Sequence, residues 1–209
     1  MAQFFTIHSS NPNLRLIRQA TAMLREGGIV VYPTDSSYAL GCHLDDKNAV
    51  TRIRQIRQLD ENHHLTLMCR DLSEISKYAR VDNVKFRLLK ANTPGNYTFI
   101  LEATKEVPKR LQHPKRSTIG IRVPDHAVAL ALLEELGEPM VSATLILPDE
   151  DSPLNDAELI RERLEKQVEV VIDSGAAGMG FTTMIDLTGD TPVLLRLGKG
   201  TIAPFGIPQ

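Results

Sequence analysis

Aromatic side chains make up only 5% of this 209-residue chain, with no tryptophan among them. That scarcity argues against a protein that holds single-stranded nucleic acid by stacking its bases on rings. Cysteine is scarcer still. Cys42 and Cys69 are too few for a disulfide framework, and each lies beside a strand-like run, so both are expected as reduced core thiols. No apolar run reaches about 18 residues, and Met1 to Ser10 lacks the basic start and apolar stretch of an export signal. Together these predict a cytoplasmic protein with no membrane partner. The formal net charge of −2 rules out a global attraction to nucleic acid or anionic lipid, so any basic function must come from a local patch.

Several motifs are missing too. The Gly-x4-Gly-Lys-Ser/Thr spacing of a Walker A loop does not occur, 175–180 lacks the spacing of a dinucleotide fingerprint, and no Gly-x-Ser-x-Gly elbow marks a hydrolase. His63-His64 are adjacent, which rarely lets both reach one ion, and no Cys pair completes a set, so no metal site is expected.

What is present suits a globular fold: 42% hydrophobic and 24% charged residues, close to average. With no composition break, one domain over 1–209 is expected, its core spanning about 14–200. Leu16, Ile17, Ala20, Met23 and Leu24 repeat at helical spacing over 14–25, and Gly27-Gly28 stop that helix. Residues 29–32 read as a buried strand ended by Pro33, and a second short run follows around 39–42. Val50, Ile53, Ile56 and Leu59 predict a helix over 47–59. Strands are expected over 65–69, 97–101, 119–123, 140–147, 168–172, 183–187 and 193–196. Helices are expected from Asp71 to Tyr78, over 83–91, after Pro124-Asp125 to Gly137, and over 156–167. Strands and helices mix without strict alternation. That predicts an α/β fold with one twisted, mixed β-sheet, flanking helices and a concave ligand face.

Hydroxyls and a carboxylate follow the first buried strand in the run from Tyr32 to Cys42. They fit a ligand rim, and they fit equally a turn whose Asp and Ser bond their own backbone. Arg54 and Arg57 share one helix face, either to grip phosphate or to lie in solvent paired with Asp60 or Glu61. Arg122 lies in an apolar strand, where a charge needs a partner or a ligand. Thr182, Thr183 and Asp186 border a late strand, and Arg196-Leu197-Gly198-Lys199-Gly200 offers a basic residue and backbone N–H groups to phosphate.

Taken in order, Tyr32-Pro33-Thr34-Asp35 with Gly41-Cys42, Pro94-Gly95-Asn96-Tyr97-Thr98, Ile119-Gly120-Ile121-Arg122-Val123-Pro124, and Thr182 to Asp186 with Leu195-Arg196 resemble the YrdC-like domain family over nearly the whole chain. Leu67-Met68-Cys69-Arg70-Asp71-Leu72 and Asn92-Thr93-Pro94 resemble its YciO branch. The resemblance implies a basic concave face, linked to binding of double-stranded or structured RNA. In active members it implies a nucleotidyltransferase reaction for tRNA modification, in which threonine, bicarbonate and ATP give threonylcarbamoyl-AMP and pyrophosphate with Mg2+ assisting. By position it implies that Thr34, His64, Arg122 and Thr182 bind substrate, that Arg57, Thr118, Thr144 and Arg196 hold the nucleotide, and that Arg57 and Arg122 are catalytic.

Two motifs depart from the active members. Where they carry Lys-x-Arg and Ser-x-Asn, this chain has Arg57-Gln58-Leu59 and Thr144-Leu145-Ile146. Each lost contact to a charged ligand is worth about 1.5–3 kcal/mol, so losing two costs roughly two to four orders of magnitude in binding or rate. Arg52 or Arg54 is a candidate for the missing charge. Three classes of function therefore compete: a slowed or redirected synthase, a structured-RNA-binding module, and a ligand sensor without turnover.

Overall fold

The structure is a computed structural model, which describes residues 1–208. The first helix, α1 (Leu14–Arg25), forms where the apolar period predicts it. The Asn13 side chain accepts hydrogen bonds from the backbone N–H of Arg15 and Leu16, and Ile17, Ala20 and Leu24 are buried. It leads into β2 (Val30–Pro33) and β3 (Tyr38–His43), an antiparallel pair. Next, α2 (Lys47–Arg57) ends two residues earlier than the hydrophobic spacing suggests, because Gln58 turns left-handed at φ 50°. Leu59 therefore lies outside the helix, packed against the core.

The middle of the chain supplies β4 (Thr66–Met68), α3 (Leu72–Tyr78), α4 (Asn83–Asn92), β5 (Tyr97–Glu102) and β6 (Thr118–Arg122). At α3 the expected Asp71 cap forms, and Glu74 reaches back to the residue before it. Asp71 accepts from the Glu74 N–H, and the Glu74 carboxylate accepts from the Arg70 N–H. Then come α5 (Ala127–Leu136), β7 (Met140–Thr144), α6 (Ala157–Leu164), β8 (Val170–Asp173), β9 (Thr183–Asp186) and β10 (Val193–Arg196). The α5 cap is His126, not the preceding Pro-Asp pair, and Gly137 ends the helix at φ 77°. The strand expected over 140–147 stops at Thr144.

One strand went unforeseen: β1 (Gln3–Thr6) pairs in parallel with β8, burying Phe5. Ile7 is buried just beyond it, as are Ile202 and Phe205 at the other end of the chain. The core thus extends past the 14–200 limits that composition and periodicity suggest. With β1 numbered first, one ten-stranded mixed sheet runs in the order β1-β8-β2-β3-β7-β4-β6-β5-β9-β10.

Side-chain alternation splits the sheet into two environments. Leu67, Phe99, Ile119, Ile121, Val141 and Ile185 join the larger core with residues of α2, α3, α4 and α6. The other face packs on α1 and α5 only at one end, where Tyr32, Met68 and Met140 meet Ile17, Leu24 and Leu132. The remaining stretch of that second face is where the cavity lies. Cys42 and Cys69 are both buried free thiols.

Candidate functional site

A cavity of about 620 Å³, its open mouth included, is lined by residues of seven successive strands, from β3 to β10 in sheet order. Within a strand the lining residues are two apart, Thr66 and Met68 on β4 and Ser142 and Thr144 on β7, as a shared pleat face requires. The cross-strand partners Met68 and Arg122, Thr66 and Ser142, and Thr98 and Met184 set that face in register. Ser37, Phe181 and Thr182 come from the flanking turns, while Arg57, His63 and His64 reach in from the end of α2 and the loop after it.

Three arginines therefore share one cavity, and no carboxylate is among its lining residues. Each is held differently. Arg57 donates to the Ile146 carbonyl, and its Nε is buried without a partner. Arg196 donates to the Thr182 carbonyl at 3.1 Å and stacks over the Phe181 ring at 4.9 Å. Burial pushes both guanidinium groups below their ordinary range, and for Arg196 the nearby Arg122 charge adds to the effect. Arg122, the buried charge that needed a partner, has one: Nη2 lies 2.5 Å from Asp35 Oδ1, and Nη1 donates to Ser36 Oγ at 3.0 Å.

Among the other expected site residues, His64, Thr144 and Thr182 line the cavity. Thr182 Oγ1 lies 2.7 Å from Thr98 Oγ1. The His64 ring stacks on His113 at 4.7 Å and contacts Thr118 Oγ1 at 3.1 Å. Burial, then the His113 and Arg116 charges, lower its pKa, which favours a neutral ring. Two expected residues stand off the wall. Thr118 sits behind His64. The Thr34 hydroxyl donates to the Ser37 carbonyl at 2.6 Å and accepts from the Ser36 and Ser37 N–H groups, so it closes the turn from within.

Three other candidate groups are engaged elsewhere. Arg52 is committed to Glu169 at 2.9 Å and to the Gln167 carbonyl. Arg54 donates to the Asp60 carbonyl, and neither arginine lines the cavity. In the Arg196 to Gly200 segment the Gly198 N–H donates to Thr183 Oγ1 and the Lys199 N–H to the Phe181 carbonyl, so those donors are not free for phosphate.

Sequence reasoning passed over His63, Thr98, Ser142, Phe181 and Met184, which the cavity adds. For Thr98, Ser142 and Met184 the signal is a pleat face shared with Arg122, visible only when the strand order is known, whereas His63 and Phe181 lie outside the strands. Mg2+ would find no protein carboxylate on this wall, and among the described residues no group of three or more His, Cys, Asp or Glu is placed to hold a metal. Nor is any helix there long and apolar enough to cross a membrane.

Comparison with known proteins fits this geometry. YciO of Escherichia coli strain K12 is 60% identical over 98% of this chain and 100% of its own, and the crystal structure of E. coli YciO superposes with a TM-score of 0.95. Threonylcarbamoyl-AMP synthase of Bacillus subtilis is 32% identical over 87% of this chain, which spans 53% of that longer protein. The Pyrococcus abyssi Sua5 structure complexed with L-threonine is 28% identical over 93% of this chain and 57% of that one, with a TM-score of 0.85. The family model that joins Sua5, YciO and YrdC, described as telomere recombination, matches residues 22–198, and the chain belongs to that family.

Proposed function

We propose that this protein binds a nucleoside triphosphate and an amino acid in the cavity and carries out threonylcarbamoyl-AMP-type adenylate formation, at a reduced rate. The observation that carries this reading is that Arg57 and Arg196, neither paired with a carboxylate, share one cavity with the Asp35-paired Arg122. Such a site favours a polyanion, and its guanidinium forks suit phosphate and carboxylate oxygens. The threonine amine and CO2, supplied by bicarbonate, form a carbamate with loss of one proton. A carbamate oxygen then attacks the α-phosphorus of ATP, a new P–O bond forms, and the bond to the β-phosphate oxygen breaks to release pyrophosphate. Arg57 and Arg196 hold the phosphates, Arg122 and Thr182 hold the amino acid, and His64 lines the pocket between them. Mg2+ enters on the triphosphate as part of the substrate, where its charge offsets that of the leaving group. The protein's own contribution is placement and charge neutralisation.

The reduced rate follows from positions 59 and 146, where Leu59 packs against the core and Ile146 offers Arg57 only its backbone carbonyl. To test the reading, purified protein is incubated with ATP, threonine, bicarbonate and Mg2+. Pyrophosphate release is followed and the adenylate sought by mass spectrometry, with Arg122→Ala as control. Product above that control supports the reading, and its absence at every substrate concentration removes it.

One surface favours a second reading. The connection between β5 and β6 exposes Lys105, Lys109, Arg110, Lys115 and Arg116, and it meets the cavity wall where His113 stacks on His64. Five cations on one segment suit the phosphate backbone of a structured RNA. RNA affinity that falls steeply with salt, with no adenylate formed, would favour this alternative.

A further inference from the structure

We infer that Asp35 is a positioning residue that holds the Arg122 guanidinium and cancels its charge, so that this end of the cavity selects a zwitterionic amino acid over a polyphosphate. The inference rests on the reading of the cavity proposed above, and it deepens that reading by dividing the cavity into two electrostatically different ends.

The geometry is specific. Asp35 and Arg122 are both nearly buried, at 9% and 6% side-chain exposure, with 2.5 Å between Oδ1 and Nη2. The same carboxylate oxygen accepts from the Asp125 N–H at 3.2 Å, which ties the pair to the start of the segment leading into α5. Ser36 Oγ takes Nη1 and Thr34 Oγ1 lies 3.5 Å from Nη2, so the turn 34–37 supplies three anchors to one guanidinium. From its outer side the turn is held by the Gly180 N–H, which donates to the Ser36 carbonyl, and by Lys199 Nζ, 3.3 Å from the Asp35 carbonyl. Two groups are left over, Arg122 Nε and Asp35 Oδ2, each buried and without a partner. A buried N–H of that kind is costly unless something accepts from it, and in a cavity wall the acceptor it suits is one ligand oxygen.

Charge makes the same division. Arg57 and Arg196 donate only to a carbonyl, or to a carbonyl and a hydroxyl, and keep their full charge. Arg122 shares its charge with a carboxylate in contact, so a polyanion gains much less from it than from the other two. An amino acid carries no net charge and offers one carboxylate, which suits a site with near-zero net charge and one free donor.

The test titrates L-threonine and pyrophosphate separately into wild type, Asp35→Asn and Ser36→Ala by calorimetry. Asp35→Asn keeps the side-chain shape and removes the charge. It is expected to weaken threonine binding by about tenfold or more, because the fork is no longer held by a charged acceptor. It is also expected to tighten pyrophosphate binding by about threefold to tenfold, because Arg122 becomes an uncompensated cation. A merely structural role cannot produce that opposite pair of changes. Loss of both ligands together, or threonine loss with no gain for pyrophosphate, overturns the inference. Should Asp35→Asn fail to fold, Ser36→Ala decides: it removes one anchor and leaves the charge, so threonine binding weakens while pyrophosphate binding stays level, and unchanged threonine affinity overturns the inference. Failure of the underlying reading shows separately, as wild-type protein that binds no threonine, and Asp35 is then judged on pyrophosphate alone.

Discussion

Replacing Arg57 by alanine should weaken nucleotide binding without weakening the fold, and the two halves of that expectation have different physical sources. In the free protein the guanidinium is half-buried, donates to the Ile146 carbonyl, and leaves Nε buried without a partner. Burial already pushes its pKa down, which means that holding this charge in place costs the folded state something. Alanine removes that cost together with one hydrogen bond, so the two effects offset and the unfolding free energy should stay within about 1 kcal/mol of wild type. Binding is different. A phosphate oxygen would give Arg57 a charged acceptor, and a hydrogen bond of that class is worth about 1.5–3 kcal/mol. At about 1.4 kcal/mol per decade the loss in ATP affinity is roughly tenfold to 150-fold. Urea unfolding measures the first quantity and calorimetric titration of Mg-ATP the second. A variant that binds ATP as well as wild type would refute the placement of Arg57 at the phosphates. One that loses several kcal/mol of stability would show that the arginine is a structural strut.

Two further expectations concern the same face of the sheet. His63, His64 and His126 are all shifted to lower pKa, chiefly by burial. As pH falls through the ordinary histidine value near 6.5, the unfolded chain therefore takes up protons before the folded one does. Stability is then fully present above that pH and declines below it until the folded-state values are passed. Urea unfolding between about pH 7.5 and 5.5 should show this slope, and a His63→Gln, His64→Gln, His126→Gln triple variant should flatten it; an unchanged slope would assign it to other groups. Gly41 faces the buried Tyr32 ring, and an added Cβ would sit 2.8 Å from Tyr32 Cε1. Since the Tyr32 hydroxyl also contacts Ser142 Oγ at 2.6 Å, the ring cannot simply swing away. Gly41→Ala should cost about 1–3 kcal/mol in urea unfolding, and a neutral result would mean that the ring has room to shift.

The sequence made the helices more legible than the sheet. Apolar period with local stops and caps placed α1, α3 and α5 within a residue or two, because Gly27-Gly28, Asp71 and Gly137 act locally. The strand β1 escaped notice because four residues carry too little pattern, and its place is fixed by a partner more than 160 residues away, β8. For the cavity the limit was similar. Arg122 stood out because a charge inside an apolar strand needs an explanation, whereas Thr98 and Ser142 are ordinary strand residues until the order β7-β4-β6-β5 places them on one wall. Thr34 shows the opposite case. Its motif pointed to ligand contact, but a hydroxyl after a strand satisfies its own turn first, and here it is spent on Ser36 and Ser37.

The two departures from the active members' motifs have different structural meanings, although they looked alike as missing polar side chains. Leu59 follows a helix that stops at Gln58, and its side chain joins the core beneath α2, so an arginine there would have to leave a packed position to reach a phosphate. Ile146 lies just past the end of β7, and its backbone carbonyl accepts from Arg57. That contact belongs to the main chain, so it is open to any residue at 146, and it fixes the one charge retained from the first motif. On the proposed reading the phosphate end is simplified without being dismantled: Arg57 is held by backbone, Arg196 by the Thr182 carbonyl and the Phe181 ring, and neither uses a side chain at position 59 or 146. A site reduced in this way retains charge and position and loses hydrogen-bond donors. In an adenylate-forming reaction, retained charge chiefly sustains ground-state binding of the triphosphate, and lost donors chiefly slow the step in which charge shifts onto pyrophosphate.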